Sequence, residues 1–312
     1  MEPLIVLAGP TAVGKTELSL SLAEALGGEI ISADSMQVYR GMDIGTAKLP
    51  LSERRGIPHH LIDVVDPTEI WDLTRFLALA KAAAADIRSR GKLPILVGGT
   101  GFYIQAFLKD LSFEDEERDD GFRAEAEERS AEELYAELSK IDPESATIIP
   151  MENKRRVIRA LEYWHYHGET ISEHNRRQKE TESPYRYIYA VLTMNRAKLY
   201  ERVEMRVDLM IQQGLPDEVA RLLASGVPAE APSMQGLGYR QMVPFVRGKC
   251  SLEEAAMAVK LETRHFAKRQ LTWFRRELDT VWFDKDGRSE ADVLSDILAA
   301  AKERGILSRN ID

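Results

Sequence analysis

What most limits the fold open to this chain is a short glycine-framed turn near its start. Gly9-Pro10-Thr11-Ala12-Val13-Gly14-Lys15-Thr16 satisfies G-x-x-x-x-G-K-[ST] at every fixed position. Before it, Leu4-Ile5-Val6-Leu7-Ala8 is an apolar run that reads as a buried parallel strand. After it, Lys15 to Leu26 reads as a helix stopped by Gly27-Gly28. Strand, turn and helix together are the setting in which this pattern holds phosphate. The glycines let backbone amides close around phosphate oxygens, and the helix N-terminus adds partial positive charge. Lys15 supplies a full charge, and the Thr16 hydroxyl is placed to hold Mg²⁺. Residues Gly9 to Thr16 are therefore expected to bind a di- or triphosphate.

The rest of the pattern extends this start into a layered α/β fold. Further strands are expected at Glu29–Ala33, His60–Val65, Pro94–Val97, Tyr187–Leu192 and Thr280–Phe283. Helices are expected at Leu73–Arg90, Arg196–Gln213, Asp217–Ala224 and Glu290–Arg304. Another is expected from the capping box Ser251-Leu252-Glu253-Glu254 to about Arg276. Strands alternating with helices imply a mostly parallel sheet flanked by helices. Between Glu114 and about Tyr185 no buried strand is visible, and helices are expected near Ser130–Ser139 and Lys154–His167. The expected organisation is a P-loop α/β core of residues 1–113 and 186–312, interrupted by an all-helical insertion of residues 114–185.

Charge decides whether nucleic acid is a plausible partner. The formal net charge of −9 argues against it when taken as a single number. Residues Glu114 to Glu137 hold 12 acidic and 3 basic side chains, a balance of −9 that equals the whole excess. Lys154 to Lys179 balances at +4 (7 basic, 3 acidic), as does Leu261 to Arg276 (5 basic, 1 acidic). A phosphate backbone meets the local field rather than the total. In the first basic stretch, Val157, Ile158, Leu161 and Trp164 share a helical face, with Arg155, Arg156 and Arg159 on the other. Those arginines are candidate phosphate contacts, and Tyr163, Trp164 and Tyr166 are either base-stacking or core aromatics, with core packing expected for Trp164. Arg176, Arg177 and Lys179 add to this surface, while Arg264, Lys268 and Arg269 form a second one unless they are simply solvated. His165, His167 and His174 have no recognisable metal spacing.

Other signals narrow the setting. The lone Cys250 excludes an internal disulfide framework. No apolar run approaches the roughly 20 residues needed to cross a bilayer, and the first residues lack a signal-peptide pattern. A cytoplasmic, monomeric enzyme with no membrane contact is the expectation.

Two further strand ends share the P-loop edge. Asp34 follows Glu29–Ala33, where a carboxylate serves as a general base, a helix cap or an acid near Mg²⁺. Gly98-Gly99-Thr100-Gly101 follows Pro94–Val97, and Thr100 offers a hydroxyl toward the same crevice. A small-molecule kinase and a nucleotide-driven RNA-binding switch fit the P-loop as well as a transferase does.

Six runs taken together resemble one family. They are Gly9–Thr16, Asp34-Ser35-Met36-Gln37-Val38-Tyr39, Gly41-Met42-Asp43-Ile44-Gly45-Thr46-Ala47-Lys48, Gly98–Gly101, Gly238-Tyr239-Arg240-Gln241, and Ala267-Lys268-Arg269-Gln270-Leu271-Thr272-Trp273-Phe274. In that order they are similar to the bacterial tRNA dimethylallyltransferases. The resemblance implies transfer of a dimethylallyl group from dimethylallyl diphosphate, with Mg²⁺, to N6 of the adenosine 3′ of the anticodon (tRNA position 37). It implies Asp34 as general base, with Thr100 beside it in the catalytic centre. It implies tRNA contacts at Asp34, Ser35, Met36, Gln37, Thr100, Arg123, Arg155, Arg156, Val157, Ile158 and Arg159, engaging the anticodon stem-loop. It also implies a diphosphate-binding arginine, either Arg202 or Arg206.

Overall fold

The structure, a computed structural model, describes residues 1–111 and 120–307. It divides into two compact units. The first comprises Met1–Leu108 and Pro184–Asp312, and the second Lys109–Ser183.

In the first unit, β1 (Glu2–Ala8), α1 (Lys15–Leu26), β2 (Glu29–Ala33), β3 (His59–His60), α2 (Leu73–Ser89), β4 (Pro94–Gly98) and α3 (Gly101–Leu108) come in succession. The second unit then contributes α4 (Asp120–Glu128), α5 (Ala131–Ile141), α6 (Pro143–Ile148), α7 (Lys154–His167) and α8 (Ile171–Glu180). The chain re-enters the first unit at β5 (Tyr185–Thr193), followed by α9 (Arg196–Gln212), α10 (Leu215–Ala224), α11 (Tyr239–Val246), α12 (Leu252–Phe274), β6 (Thr280–Asp284) and α13 (Glu290–Glu303).

The sheet order is β3-β2-β4-β1-β5-β6, and every pairing is parallel. Parallel strands are covered on both faces, which is why β1 reads as an unbroken apolar run: Leu4 to Ala8 are all fully buried. The winding changes direction beside β1. β2, β3 and β4 lie to one side of it and β5 and β6 to the other. That places a crevice at the C-terminal ends of β1, β2 and β4, the usual ligand position in such sheets. At the opposite edge, the buried Glu29 carboxylate opens β2 and gathers Arg90, Lys92 (2.9 Å) and His60 (2.8 Å).

The helical unit has its own core, built from Leu134, Leu138, Val157, Ile158, Leu161 and neighbours. Its helices are set by local signals. Ser130 and Thr170 make reciprocal capping boxes with Glu133 and Glu173, and Gly168 ends α7 in a left-handed conformation at φ 64°. Among the described residues, no helix is long and apolar enough to cross a membrane.

Three sequence expectations need correction. The strand expected over His60–Val65 ends after His60, because Leu61 and Asp63 adopt left-handed φ of 63° and 57°. Val65 makes only an isolated bridge to Tyr39. Trp164 is 40 % exposed rather than packed in the core. Its place at the end of the apolar stripe carries it past the last core-facing turn of α7. Finally, α3, α4, α6, α8 and α11 had no expected counterpart; α6 is six residues, α3 opens on a glycine and α11 carries an internal proline.

Candidate active site

The turn between β1 and α1 forms a cationic cradle. Gly14 sits at φ 95° and α1 begins at the next residue, so the change from turn to helix requires a left-handed position here. Lys15 Nζ donates to the carbonyls of Gly9 (2.9 Å) and Pro10 (2.8 Å), folding back over its own loop. On α9, Arg202 Nε donates to the Ala12 carbonyl (2.8 Å), and Arg206 Nη1 donates to Thr11 Oγ1 (3.0 Å). Both arginines left open by the sequence thus touch the loop, one at its backbone and one at its side chain. From the end of β6, Lys285 Nζ reaches the Gly14 carbonyl (3.3 Å).

None of these four cations is ion-paired to a carboxylate among the described residues. The consequence is electrostatic. Burial, and then the Arg206 charge, push the Lys15 ammonium down to about 7, against the opposing pull of Asp34. Burial also lowers Arg206, again opposed by Asp34. Partly buried positive charge without a carboxylate partner is electrostatically suited to an anion.

Asp34 faces this cluster from the end of β2. Its Oδ1 accepts from the backbone N–H groups of Met36 (2.8 Å) and Gln37 (3.3 Å), so the carboxylate also fixes the turn that follows. Asp34, Lys15, Thr16 and Gln37 line a cavity of about 70 Å³, whose remaining walls include Ile30, Ala47, Leu49, Ile62 and Val97. The same cavity collects Ser32 and Ser19, but no cluster of three metal-ligating side chains occurs among the described residues.

The glycines of Gly98-Gly99-Thr100-Gly101 are explained by close approach. A Cβ on Gly99 would lie 2.2 Å from Gln270 Nε2, and one on Gly101 would lie 2.1 Å from Trp273 Cδ1. Only Thr100 can carry a side chain in this turn, and its N–H donates to the Ala33 carbonyl (3.3 Å), tying it to the end of β2.

The Gly41–Lys48 run, so distinctive in sequence, is held mainly by its backbone. The buried Glu218 carboxylate accepts from the N–H groups of Asp43 (2.9 Å), Ile44 (2.9 Å) and Gly45 (3.1 Å), and from the Tyr239 hydroxyl (2.6 Å). Gln37 Nε2 donates to the Thr46 carbonyl (3.2 Å), which links this loop to the segment after Asp34. Lys48 is almost fully buried between Asp43 and Asp63. Glu218 and Lys285 were missed from the sequence. Lys285 had a usable signal, a basic residue at the end of a strand sharing the P-loop edge. Glu218 had none, because only the tertiary fold brings α10 to that loop.

In the helical unit, Arg155, Arg156 and Arg159 are exposed on α7 and have no carboxylate partner among the described residues. Val157 and Ile158 are buried in that unit's core, so their side chains cannot serve as RNA contacts; the helix periodicity that exposes the arginines turns these two inward. Arg123 is tied to Glu162 (2.6 Å), Arg177 to Glu169 (2.8 Å), and Arg176 to Glu144. The side chain of Lys179 lies outside the described residues. Tyr163 donates to or accepts from His174 Nδ1 (2.6 Å) and stacks on His167, which occupies its ring. On α12, Arg264 pairs with Glu204 (3.0 Å), whereas Lys268 and Arg269 line a groove of about 370 Å³ with His265, Thr272, Trp273 and Arg276.

A parallel sheet wound about a central strand that ends in this cradle defines a P-loop α/β protein. Comparison with known proteins narrows the class. A family model described as IPP transferase matches residues 37–277, and one described as isopentenyl transferase matches residues 3–58. A tRNA dimethylallyltransferase of Lachnoclostridium phytofermentans is 49% identical over 312 residues, covering 98% of this chain and 100% of that one. One of Bacillus subtilis is 47% identical, covering 91% of each. The crystal structure of a full-length tRNA isopentenylpyrophosphate transferase from Bacillus halodurans superposes with a TM-score of 0.75 at 42% identity, covering 98% of each chain. A eukaryotic dimethylallyltransferase acting on tRNA superposes at 0.85 and 32% identity, covering 96% of this chain and 78% of that one. The chain belongs to the IPP transferase family and is a transferase of the tRNA dimethylallyltransferase class.

Proposed function

We propose that this protein transfers the dimethylallyl group of dimethylallyl diphosphate to N6 of the adenosine 3′ of the anticodon in tRNA, with Asp34 as general base. The carrying observation is the placement of Asp34, which faces the half-buried Lys15 and Arg206 and lines the same cavity as Lys15 and Thr16. A carboxylate beside an anion cradle is positioned to take a proton next to a bound phosphate.

The N6 lone pair is delocalised into the adenine ring and is a weak nucleophile. As it forms a bond to the allylic carbon, the C–O bond to diphosphate breaks and its electron pair leaves with the diphosphate. The N6 proton passes to the Asp34 carboxylate. Charge growing on the departing diphosphate meets Lys15, the loop amides from Gly9 to Thr16, and Arg202 and Arg206, all already in place. Thr16, whose side chain opens onto the cavity shared with Asp34, would hold a Mg²⁺ there. When bound, the ion adds positive charge at the leaving group. Ser35, Met36, Gln37 and Thr100 border the position of the target base, which leaves its stack to enter the site. Arg155, Arg156 and Arg159 supply phosphate contacts. The groove of Lys268, Arg269 and Arg276 has the same character, and Arg123 joins only if its pair with Glu162 opens.

Incubation of the protein with unmodified tRNA, Mg²⁺ and dimethylallyl diphosphate tests this directly. Mass spectrometry of nuclease digests is expected to find one added dimethylallyl group on the adenosine 3′ of the anticodon. Consumption of ATP with a small acceptor and no change in tRNA would establish a kinase instead, and binding of tRNA without modification would establish a switch.

A further inference from the structure

The donor cradle and the Thr100 turn stand on neighbouring strands whose pairing ends at Ala8 and Gly98. Beyond that point the two turns leave the sheet, and the ladder no longer fixes their separation. Gln270, on the buried face of α12, takes over there. Its Oε1 accepts from the Thr11 N–H (2.8 Å) and its Nε2 donates to the Gly99 carbonyl (2.9 Å). Among the described residues it is the side chain that hydrogen-bonds both turns. The orientation of the amide follows from its partners, because Thr11 offers a donor and Gly99 an acceptor. The residue is 7 % exposed, so neither bond has water as a ready substitute.

We infer that Gln270 is a positioning residue for the transfer step, holding the diphosphate cradle and the Thr100 turn at one fixed spacing. The inference rests on the proposed prenyl transfer. In that reaction the leaving oxygen, the allylic carbon and N6 must align, with one end of the line set by the cradle and the other by the turn. A displacement of about 1 Å between such parts costs roughly 10²-fold in rate. The single amide spans both parts, and Gly99 is glycine because Gln270 occupies the space its Cβ would need. No other residue type of this length pairs one donor with one acceptor at the same reach without adding charge beside the diphosphate.

Two variants test this, with single-turnover transfer measured at saturating tRNA and dimethylallyl diphosphate and corrected for folded fraction. Gln270→Met keeps the length and loses both hydrogen bonds. Its rate is expected to fall about 10- to 100-fold while the KM for the donor changes much less. Gln270→Glu keeps the shape, but its ionised carboxylate can accept from Thr11 and cannot donate to Gly99. When protonated, that side chain regains a donor and mimics the amide. The rate of this variant divided by the native rate is therefore expected to rise as pH falls from 8 to 5. Asp34, Lys15 and Arg206 are the titratable groups facing these turns, and because the new carboxylate would also raise Lys15, the ratio is compared in the Lys15→Met background, where the pH dependence must persist. A purely structural role predicts lower thermal stability with an unchanged rate per folded molecule and a ratio flat in pH, and that result overturns the inference. If Gln270→Met does not fold, the pH dependence of the Gln270→Glu ratio decides alone. A native protein that does not prenylate tRNA in this assay sinks the proposed function, and the inference with it; a native protein that does, alongside variants within threefold of it at every pH, sinks only the inference.

Discussion

The two edges of the central sheet treat positive charge in opposite ways. At the edge where β2 begins, Arg90, Lys92 and His60 converge on the buried Glu29 carboxylate, which they hold far below the usual carboxylate range, the Arg90 hydrogen bond contributing most. At the edge where β1 ends, Lys15, Arg202, Arg206 and Lys285 donate to the loop's own oxygens and have no carboxylate partner among the described residues. The first arrangement is complete in the folded chain. The second leaves its cations without a carboxylate partner among the described residues, as expected if that edge is preorganised for the proposed diphosphate.

Asp34→Asn is the sharpest way to probe the second edge. It keeps the acceptor that fixes the turn through Met36 and Gln37 and removes the basic carboxylate. Single-turnover transfer is expected to fall by roughly 10²–10⁴ with tRNA binding changed far less. A rate within a few-fold of native, in protein shown to be folded, would return Asp34 to a turn-forming role. Rescue by raised Mg²⁺ would assign it to the metal instead.

Glu29→Gln breaks the complete edge, and its effect belongs to stability. Because Arg90 and Lys92 stay partly in water once Glu29 loses its charge, the substitution is expected to cost about 1–3 kcal/mol, seen in denaturant unfolding, with donor affinity unchanged. The pH dependence has a definite sign. A carboxyl whose folded pKa is depressed stabilises the fold above its unfolded value, about 4.3, and loses that contribution as pH falls toward the folded value. Native protein is therefore expected to lose stability below about pH 4.5 more steeply than the variant. Parallel curves would show that the cluster is not what acid attacks.

Lys15→Met is expected to weaken donor binding by about two orders of magnitude while leaving the fold intact, since Lys15 bonds only its own loop. Its pKa near 7 adds a second signature. Diphosphate favours the charged lysine, so binding takes up a proton, and affinity falls as pH rises above about 7. Calorimetry in buffers of different ionisation heat reads that uptake, and the part absent from the variant belongs to Lys15. Equal proton uptake in both proteins would contradict the assignment.

The exposed arginines of α7 extend the comparison to cations that are neither neutralised nor desolvated. Charge reversal at Arg155 and Arg156 together is expected to weaken binding of all tRNAs alike and to flatten the log–log salt dependence by roughly two units. An unchanged slope would mark them as solvated charges only. A smaller effect still is expected at Trp164, where Trp164→Ala should change the stability of the helical unit by under about 1 kcal/mol, against roughly 2–5 kcal/mol for the buried Leu161→Ala.

What is local or periodic could be read directly from the order of the residues. The P-loop was legible because phosphate binding needs glycine, lysine and threonine at fixed spacing between a strand and a helix, all within one short stretch. The parallel sheet was legible because strands buried on both faces must be apolar throughout, as Leu4 to Ala8 are. The arginine face of α7 was legible from helical period, and the same period turns the Val157 and Ile158 side chains inward, which leaves only their backbone to an RNA partner. Tertiary structure decided what depends on residues far apart in the chain. It brought Gln270 to Thr11 across 259 positions and Glu218 to Gly45 across 173. It carried both Arg202 and Arg206 onto the loop, where the sequence had offered them as alternatives. It also set how each charge is paid, by Glu29 at one edge and by no carboxylate at the other. A hydrogen bond between distant segments leaves no spacing to read, because chain separation is unrelated to spatial separation once the sheet has formed.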